Sequence, residues 1–167
     1  NFGENIGTGL TISGTVGAAL EAASLGIPSL AVSMQTSKEH HLSLSQDVDF
    51  SAAAHFTRKI AKKILEKELL DDVDIIKMDI PQGATKDTPW KITHLDRNRF
   101  YIPKPARRET LSERGPMGYE IKYNPEELEK GSDVHALLVE NKVSVTPISI
   151  DQTSRTDFEK LDALFRE

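Results

Sequence analysis

SGTVGAALEAASLGIPSLAVSM, at residues 13–34, is the stretch that decides the fold class. Its first half predicts a helix over residues 14–25, because small apolar residues recur there at the spacing of one helical face. Gly26 is a typical residue after a helix end, and the apolar run over residues 27–34 predicts a buried strand. A helix, a tight turn and a buried strand in this order indicate an α/β protein with a parallel sheet.

A second, amphipathic helix is predicted further along the chain. It begins after a cap at Asp47 or Asp49 and ends near Leu70, beyond a polar loop over residues 35–47. Its inner face carries Ala53, Phe56, Ile60 and Ile64, and its outer face Arg58, Lys59, Lys62 and Lys63. A strand over residues 74–80 follows, closed by a proline.

The sequence pattern changes at about residue 82, where short strand patterns and polar segments begin. Short strands are predicted at residues 90–95, 99–102 and 117–123. The polar, proline-containing segment among them indicates a long β excursion away from the main sheet. Residues 141–150 then predict a strand that Pro147 interrupts, and residues 156–165 a terminal amphipathic helix.

Composition places the chain among ordinary globular proteins. Its 167 residues are 38% hydrophobic and 28% charged, with a mean hydropathy of -0.40. The net charge of -5 argues against a broad nucleic-acid surface, and no apolar run reaches the ~18 residues of a membrane span. The absence of cysteine excludes disulfides, thiolate metal sites and Cys nucleophiles, and it fits a cytoplasmic protein.

Ser13, Gly14 and Thr15 start the first predicted helix and form one candidate anion site. Free N–H groups at a helix start attract a phosphate, and Gly14 and Gly17 would let it approach the backbone. The alternative is that Ser13 only caps the helix with its hydroxyl. The spacing is not that of a P-loop, since no lysine follows at the required position.

Asn1 and Asn5 stand in a glycine-rich segment, NFGENIG. A carboxamide oxygen can bind a hard cation such as Mg²⁺, although one Asn cannot hold the ion without carboxylates. The alternative is that each Asn is a turn residue.

Other polar groups are interpreted as structural. Asp71 and Asp72 fall between a predicted helix and the strand that follows it. Ligands of a parallel sheet gather at the opposite end of the strands. The pair is therefore interpreted as a solvated turn. The histidines, His40, His41, His55, His94 and His135, lack metal-ligand spacing. The basic run is interpreted as a solvated loop, with contact to a substrate or subunit as the alternative; it comprises Lys104, Arg107, Arg108 and Arg114.

Five stretches together resemble the SurE family of metal-dependent 5'-nucleotidases. They are NFGENIG at 1–7, SGTVGAA at 13–19, GIPSLAVS at 26–33, GSD at 131–133 and VSVTP at 143–147. The resemblance implies a Rossmann-like three-layer domain with a mainly parallel sheet, a projecting β-hairpin and a C-terminal segment exchanged between subunits. We accordingly divide the chain into core residues 1–96, an oligomerisation hairpin over 97–123 and a return strand with C-terminal helix over 124–167.

The resemblance also implies the site. Asn1 matches a ligand of a divalent metal, Mg²⁺ or Mn²⁺, whose other ligands in the family are two consecutive Asp and a Ser. Asn5, Ser13, Gly14 and Thr15 match positions lining the phosphate pocket. The Asp pair has no counterpart in this chain, so we expect it in about ninety further residues upstream and expect the chain alone to be inactive. The catalytic nucleophile is therefore not assigned.

The function that follows is hydrolysis of nucleoside 5'-monophosphates by a cytoplasmic homodimer or tetramer. One alternative is a non-catalytic nucleotide- or phosphate-binding module that kept the glycine turn and lost the metal. Another is an oligomerisation module built around the β excursion. Neither a nucleic-acid polymer nor a membrane is expected as a partner.

Overall fold

The fold is taken from a computed structural model. It describes residues 1–37, 40, 47–67, 69–106, 108–110, 112–115 and 118–166. The elements in chain order are a 3₁₀ helix (Gly7–Ile12), α1 (Gly14–Ser24), β1 (Ser29–Met34), α2 (Ser51–Glu66), β2 (Ile75–Ile80), β3 (Trp90–Ile92), β4 (Tyr101–Lys104), β5 (Gly118–Ile121), α3 (Asp133–Leu138), β6 (Val143–Ile148) and α4 (Phe158–Arg166).

The predicted unit of helix, turn and strand is confirmed as α1 and β1. The Ser13 hydroxyl caps α1 by accepting a hydrogen bond from the Val16 N–H at 3.2 Å. Gly26 ends the helix with a φ of 76°, a conformation that favours glycine. The small residues of α1 let it pack closely on the sheet.

The central sheet has the strand order β1-β2-β6-β3. β1 pairs with β2 in parallel and β3 with β6 in parallel, while β2 and β6 are antiparallel. The sheet is therefore mainly parallel, and the mixed α/β class is confirmed. The predicted excursion is a separate antiparallel hairpin of β4 and β5.

The two faces of the sheet differ sharply in polarity. Because strand side chains alternate, Met78 and Ile80 of β2 face α2 and join its residue Phe56 in one apolar cluster. On the opposite face, Ile75 packs under α1, but Lys77 and Asp79 are buried further along the same strand. This polar end of the face underlies the candidate site.

Several element ends differ from the sequence predictions. α2 starts at Ser51, where the Asp49 carboxylate accepts from the Ser51 N–H at 2.8 Å, and it ends at Glu66 rather than near Leu70. β6 is not interrupted at Pro147. Pro147 is exposed, and β3 pairs only with residues 143–145 of β6. The N–H that proline lacks therefore costs the sheet interior no hydrogen bond. α3, capped by Ser132, was not predicted. Part of the predicted loop, residues 38, 39 and 41–46, lies outside the described residues.

No helix within the described ranges combines the length and apolarity that crossing a bilayer requires.

Candidate functional site

The first residues of the chain run beside the carboxyl end of β1. Phe2 forms a parallel bridge with Met34, the Gly3 N–H donates to the Met34 carbonyl at 2.8 Å, and the Met34 N–H donates to the Asn1 carbonyl at 3.0 Å. Ligands of open α/β sheets gather at this end of the strands. The segment over residues 1–7, here called the N-terminal loop, is thus placed where a ligand site is expected.

Asn5 is fixed by both its main chain and its side chain. Its backbone N–H donates to Asp79 Oδ1 at 2.7 Å, and its side-chain Nδ2 donates to the Ser33 hydroxyl at 2.5 Å. A carboxamide nitrogen carries two hydrogens, so the second remains for a ligand. Asn5 is held by two neighbouring strands rather than acting as a free turn residue.

Gly7 is required by its conformation and by its surroundings. Its φ is 53°, and a Cβ at this position would lie 2.7 Å from the Asn98 carbonyl oxygen and 2.8 Å from the Phe100 ring. Its N–H donates to Asp133 Oδ2 at 2.9 Å. The glycine therefore lets the N-terminal loop pass directly under the chain that leads into the hairpin.

A cavity of about 530 Å³ opens between the N-terminal loop and the base of the hairpin. Three of the five predicted site residues line it: Asn1, Asn5 and Ser13. The hairpin side of the wall includes Arg99, Tyr101 and Tyr119. Two carboxamides, a helix start and one guanidinium therefore meet around a space large enough for a small molecule.

Gly14 and Thr15 are not among the residues that line this cavity. They form the first turn of α1, next to Ser13, and a Cβ on Gly14 would meet nothing within 4 Å. The Ser13 hydroxyl is engaged by Val16, so the capping interpretation holds for that group. What Ser13 offers the cavity is its place at the positive end of the helix dipole.

The hairpin wall is aromatic. The rings of Tyr101 and Tyr119 meet edge to face with centroids 5.3 Å apart. Burial and the nearby charge of Glu4 raise the pKa of Tyr101. Glu4 itself is buried and lines the same cavity.

Asn1 can offer one oxygen to a metal ion. Its Nδ2 donates to the Gly3 carbonyl at 3.1 Å, so Oδ1 is the atom available to a cation. Across the described ranges, no three His, Cys, Asp or Glu side chains cluster as metal ligands. The donor set here fits one ligand of a metal site and not a complete site, because a hard cation needs several oxygens and negative charge.

The sequence model described as "Survival protein SurE" matches residues 1–101, which contain the N-terminal loop, α1 and the first three strands of the sheet. The chain belongs to the SurE family. A curated relative from Thermococcus gammatolerans, "5'-nucleotidase SurE", is 45% identical and aligns with 100% of this chain and 62% of its own length. The relative of the same name from Thermococcus kodakarensis is 41% identical over 96% of this chain and 61% of its own length.

The crystal structure of the SurE protein from Aquifex aeolicus has the same fold. It matches 98% of this chain with a TM-score of 0.71, at 24% sequence identity. The chain spans about 62% of that structure and of the first curated relative.

The remaining candidates lie apart from the cavity lining. Asp71 and Asp72 form an exposed turn between α2 and β2, where Asp72 pairs with Arg155. His94 lies 3.2 Å from Glu129 and His135 lies 3.2 Å from Glu140. His55 is exposed and meets the Phe56 ring, while His41 lies outside the described residues.

The basic run does not line the cavity either. Lys104 pairs with Glu120 at 2.9 Å, Arg108 and Arg114 are exposed, and Arg107 lies outside the described residues.

Two sets of residues in and beneath the candidate site are not predicted from the sequence of this SurE family member. Arg99, Tyr101 and Tyr119 were assigned only to strands of the excursion, because nothing in their spacing shows that the hairpin base folds back on the N-terminal loop. Lys77 and Asp79 were overlooked within a predicted strand. Two charged residues at alternate positions of an otherwise apolar strand, IIKMDI, are the signal that could have found them.

Proposed function

We propose that the protein hydrolyses nucleoside 5'-monophosphates with the help of a divalent metal ion, Mg²⁺ or Mn²⁺. The observation that carries this proposal is the cavity in which Asn1, Asn5 and Ser13 meet Arg99 and the tyrosine pair. Family membership and the names of the curated relatives support the same reaction.

In this proposal Asn1 Oδ1 is one neutral ligand of the metal. When bound, such an ion polarises phosphoryl oxygens and lowers the pKa of coordinated water. The family resemblance implies an Asp pair and a Ser as the other ligands, and we assign none of the described residues to these roles.

The chain's own groups bind and orient the phosphate. Asn5 Nδ2 donates its second hydrogen to a phosphoryl oxygen, and the helix start at Ser13, Gly14 and Thr15 stabilises negative charge. Arg99 supplies the positive charge on the hairpin side, and its Nε already donates to the Tyr101 carbonyl at 3.2 Å, which restrains the side chain. The aromatic faces of Tyr101 and Tyr119 suit a nucleoside.

We further propose a cytoplasmic homodimer or tetramer in which residues 97–123 and the C-terminal segment make intersubunit contacts. α4 supports this, because none of its described side chains is buried, although Phe158, Leu161, Leu164 and Phe165 are apolar. Neither a nucleic-acid polymer nor a membrane is proposed as a partner.

The test is phosphate release from a panel of nucleoside 5'-monophosphates by the full-length protein, with Mg²⁺, with Mn²⁺ and with EDTA. We expect release that EDTA abolishes and that either metal restores. Nucleotide binding without any release would support the non-catalytic binding module instead. Release that persists in EDTA would contradict the metal role.

A further inference from the structure

Lys77 lies at the centre of the polar end of the sheet face. Its side chain is 1% exposed, and its ammonium donates to the Asn5 carbonyl at 2.9 Å, to Asp133 Oδ2 at 3.0 Å and to Asp79 Oδ2. All three partners come from different parts of the chain. One lysine therefore joins β2, α3 and the N-terminal loop.

The two carboxylates extend these bonds to both walls of the cavity. Asp79 Oδ1 accepts from the Asn5 N–H at 2.7 Å, and Asp133 Oδ2 accepts from the Gly7 N–H at 2.9 Å. Asp133 Oδ1 accepts from the Asp96 N–H at 3.0 Å, and Asp96 lies five residues before the hairpin strand β4. The buried cluster thus ties the N-terminal loop to the chain that carries Arg99 and Tyr101.

The cluster depends on the lysine charge. Asp79 and Asp133 are both fully buried, and two carboxylates without a cation would repel each other and lose their solvation. Although burial alone lowers the pKa of Lys77, the two carboxylates raise it above its ordinary value, so the ammonium stays charged.

We propose that Lys77 is a positioning residue that holds the main chain of Asn5 and Gly7 in the geometry needed to bind the substrate phosphate. This inference rests on the proposed function for its substrate and on the contacts above for its mechanism. Asp79 and Asp133 bind the ammonium and also accept hydrogen bonds from the N-terminal loop and from the chain before β4. No group of the cluster touches the reacting atoms. Its role is to fix where Asn5 points.

Other titratable groups lie around the cluster. Asp96 contributes its N–H to Asp133, and its carboxylate accepts from the Asn98 N–H at 2.8 Å. Glu4 is next to Asn5 in the chain, and Tyr101 is close enough to Asp79 that this carboxylate contributes to raising the pKa of the tyrosine. None of these groups supplies a positive charge that could replace Lys77.

The test compares Lys77→Met with Lys77→Met/Asp79→Asn in the full-length protein. Methionine removes the charge at similar length, and asparagine restores the charge balance while keeping an acceptor for the Asn5 N–H. At about pH 8 we expect Lys77→Met to lower kcat/KM by about 10- to 100-fold, chiefly through KM. The double variant should recover to within about threefold.

Two control variants separate positioning from general stability. Lys91→Met removes another paired lysine, since Lys91 Nζ lies 3.0 Å from Glu140 Oε1. Phe56→Leu weakens the core on the α2 side of the sheet. Both should keep the KM of the unmodified protein at a temperature where all variants are folded.

Hydrogen exchange tests the role of Lys77 independently of the proposed function. If the unmodified protein releases no phosphate from any nucleotide, the proposed function fails, and exchange over residues 1–7 and 96–101 decides the role of Lys77. Lys77→Met should speed exchange in both segments, and Lys91→Met should not. Unchanged exchange, an unchanged KM, or a loss of kcat/KM that Asp79→Asn does not rescue would overturn the proposal. If Lys77→Met does not fold, the double variant and Asp133→Asn carry the same comparison.

Discussion

The backbone N–H of Asn5 lies 2.7 Å from Asp79 Oδ1, although 74 residues separate the two in the chain. The carboxamide of Asn5 is held in addition by Ser33 of the neighbouring strand. A side chain that is restrained before the ligand arrives loses little conformational entropy on binding. The strands of the sheet, rather than the turn itself, therefore preorganise the N-terminal loop.

Replacing Gly7 with alanine should destabilise the protein by about 2–4 kcal/mol, because the left-handed φ and the contact with the Asn98 carbonyl both oppose a Cβ. Urea unfolding measures the change. Gly17→Ala is the matched control: Gly17 is a helical residue with open space at its Cβ position, so alanine there should stabilise by about 0.5–1 kcal/mol. Equal effects at the two glycines would contradict the packing described for Gly7.

Removing the Asn1 carboxamide should weaken metal binding. In Asn1→Ala, the Mg²⁺ concentration that gives half-maximal phosphate release should rise by about tenfold or more, because a ligand oxygen is lost. A metal titration of activity measures this, and Asn124→Ala, which removes an exposed carboxamide outside the cavity lining, should leave it unchanged. Identical Mg²⁺ dependence in Asn1→Ala would refute its role as a ligand.

Arg99 should contribute to substrate affinity through its charge. Arg99→Ala should raise KM for a nucleoside monophosphate by about 10- to 100-fold, the loss expected for one charge-assisted hydrogen bond. Steady-state kinetics at two salt concentrations measure it. Arg114→Ala removes an exposed arginine of the basic run and serves as the control; if it raised KM as much as Arg99→Ala, the alternative interpretation of that run as a substrate contact would be favoured.

Glu140 should make folding stability depend on pH in the acid range. Hydrogen bonds from Lys142 and Lys91 lower its pKa from 4.5 to about 2. A depressed folded-state pKa contributes stability that is fully present above the unfolded-state pKa and is lost as the pH falls from about 4.5 toward 2. Urea midpoints of the unmodified protein and of Glu140→Gln should therefore converge as the solution is acidified. A gap that stays constant over this range would show that the carboxylate charge is not its cause.

The exposed apolar side of α4 should hold subunits together. Leu164→Asp/Phe165→Asp should shift the full-length protein toward monomer, because it places two charges where apolar surface is proposed to be covered. Light scattering coupled to size exclusion gives the mass. Lys160→Glu changes the charge of the same helix at a polar position and should leave the assembly intact; an unmodified protein that is already monomeric would contradict the proposal.

Local patterns in the sequence were sufficient for the elements that depend on near neighbours. The helix cap at Ser13, the turn at Gly26 and the run that forms β1 are each specified within a few residues, and the structure confirms all three. The end of α2 was wrong, because helix ends depend on competing local contacts that periodicity does not show. The short helix α3 escaped prediction, since its six residues are too few for a periodic signal.

The sequence by itself determined the α/β class, the β excursion and the resemblance that pointed to Asn1, Asn5 and Ser13. Only the tertiary structure decided that these residues share a cavity with Arg99 and Tyr101, and that Lys77 is buried between Asp79 and Asp133. The physical reason is distance along the chain. Hydrogen bonds that join residues 5 and 79, or 7 and 133, form only when the sheet has brought the segments together, and no local preference of either segment encodes the pairing.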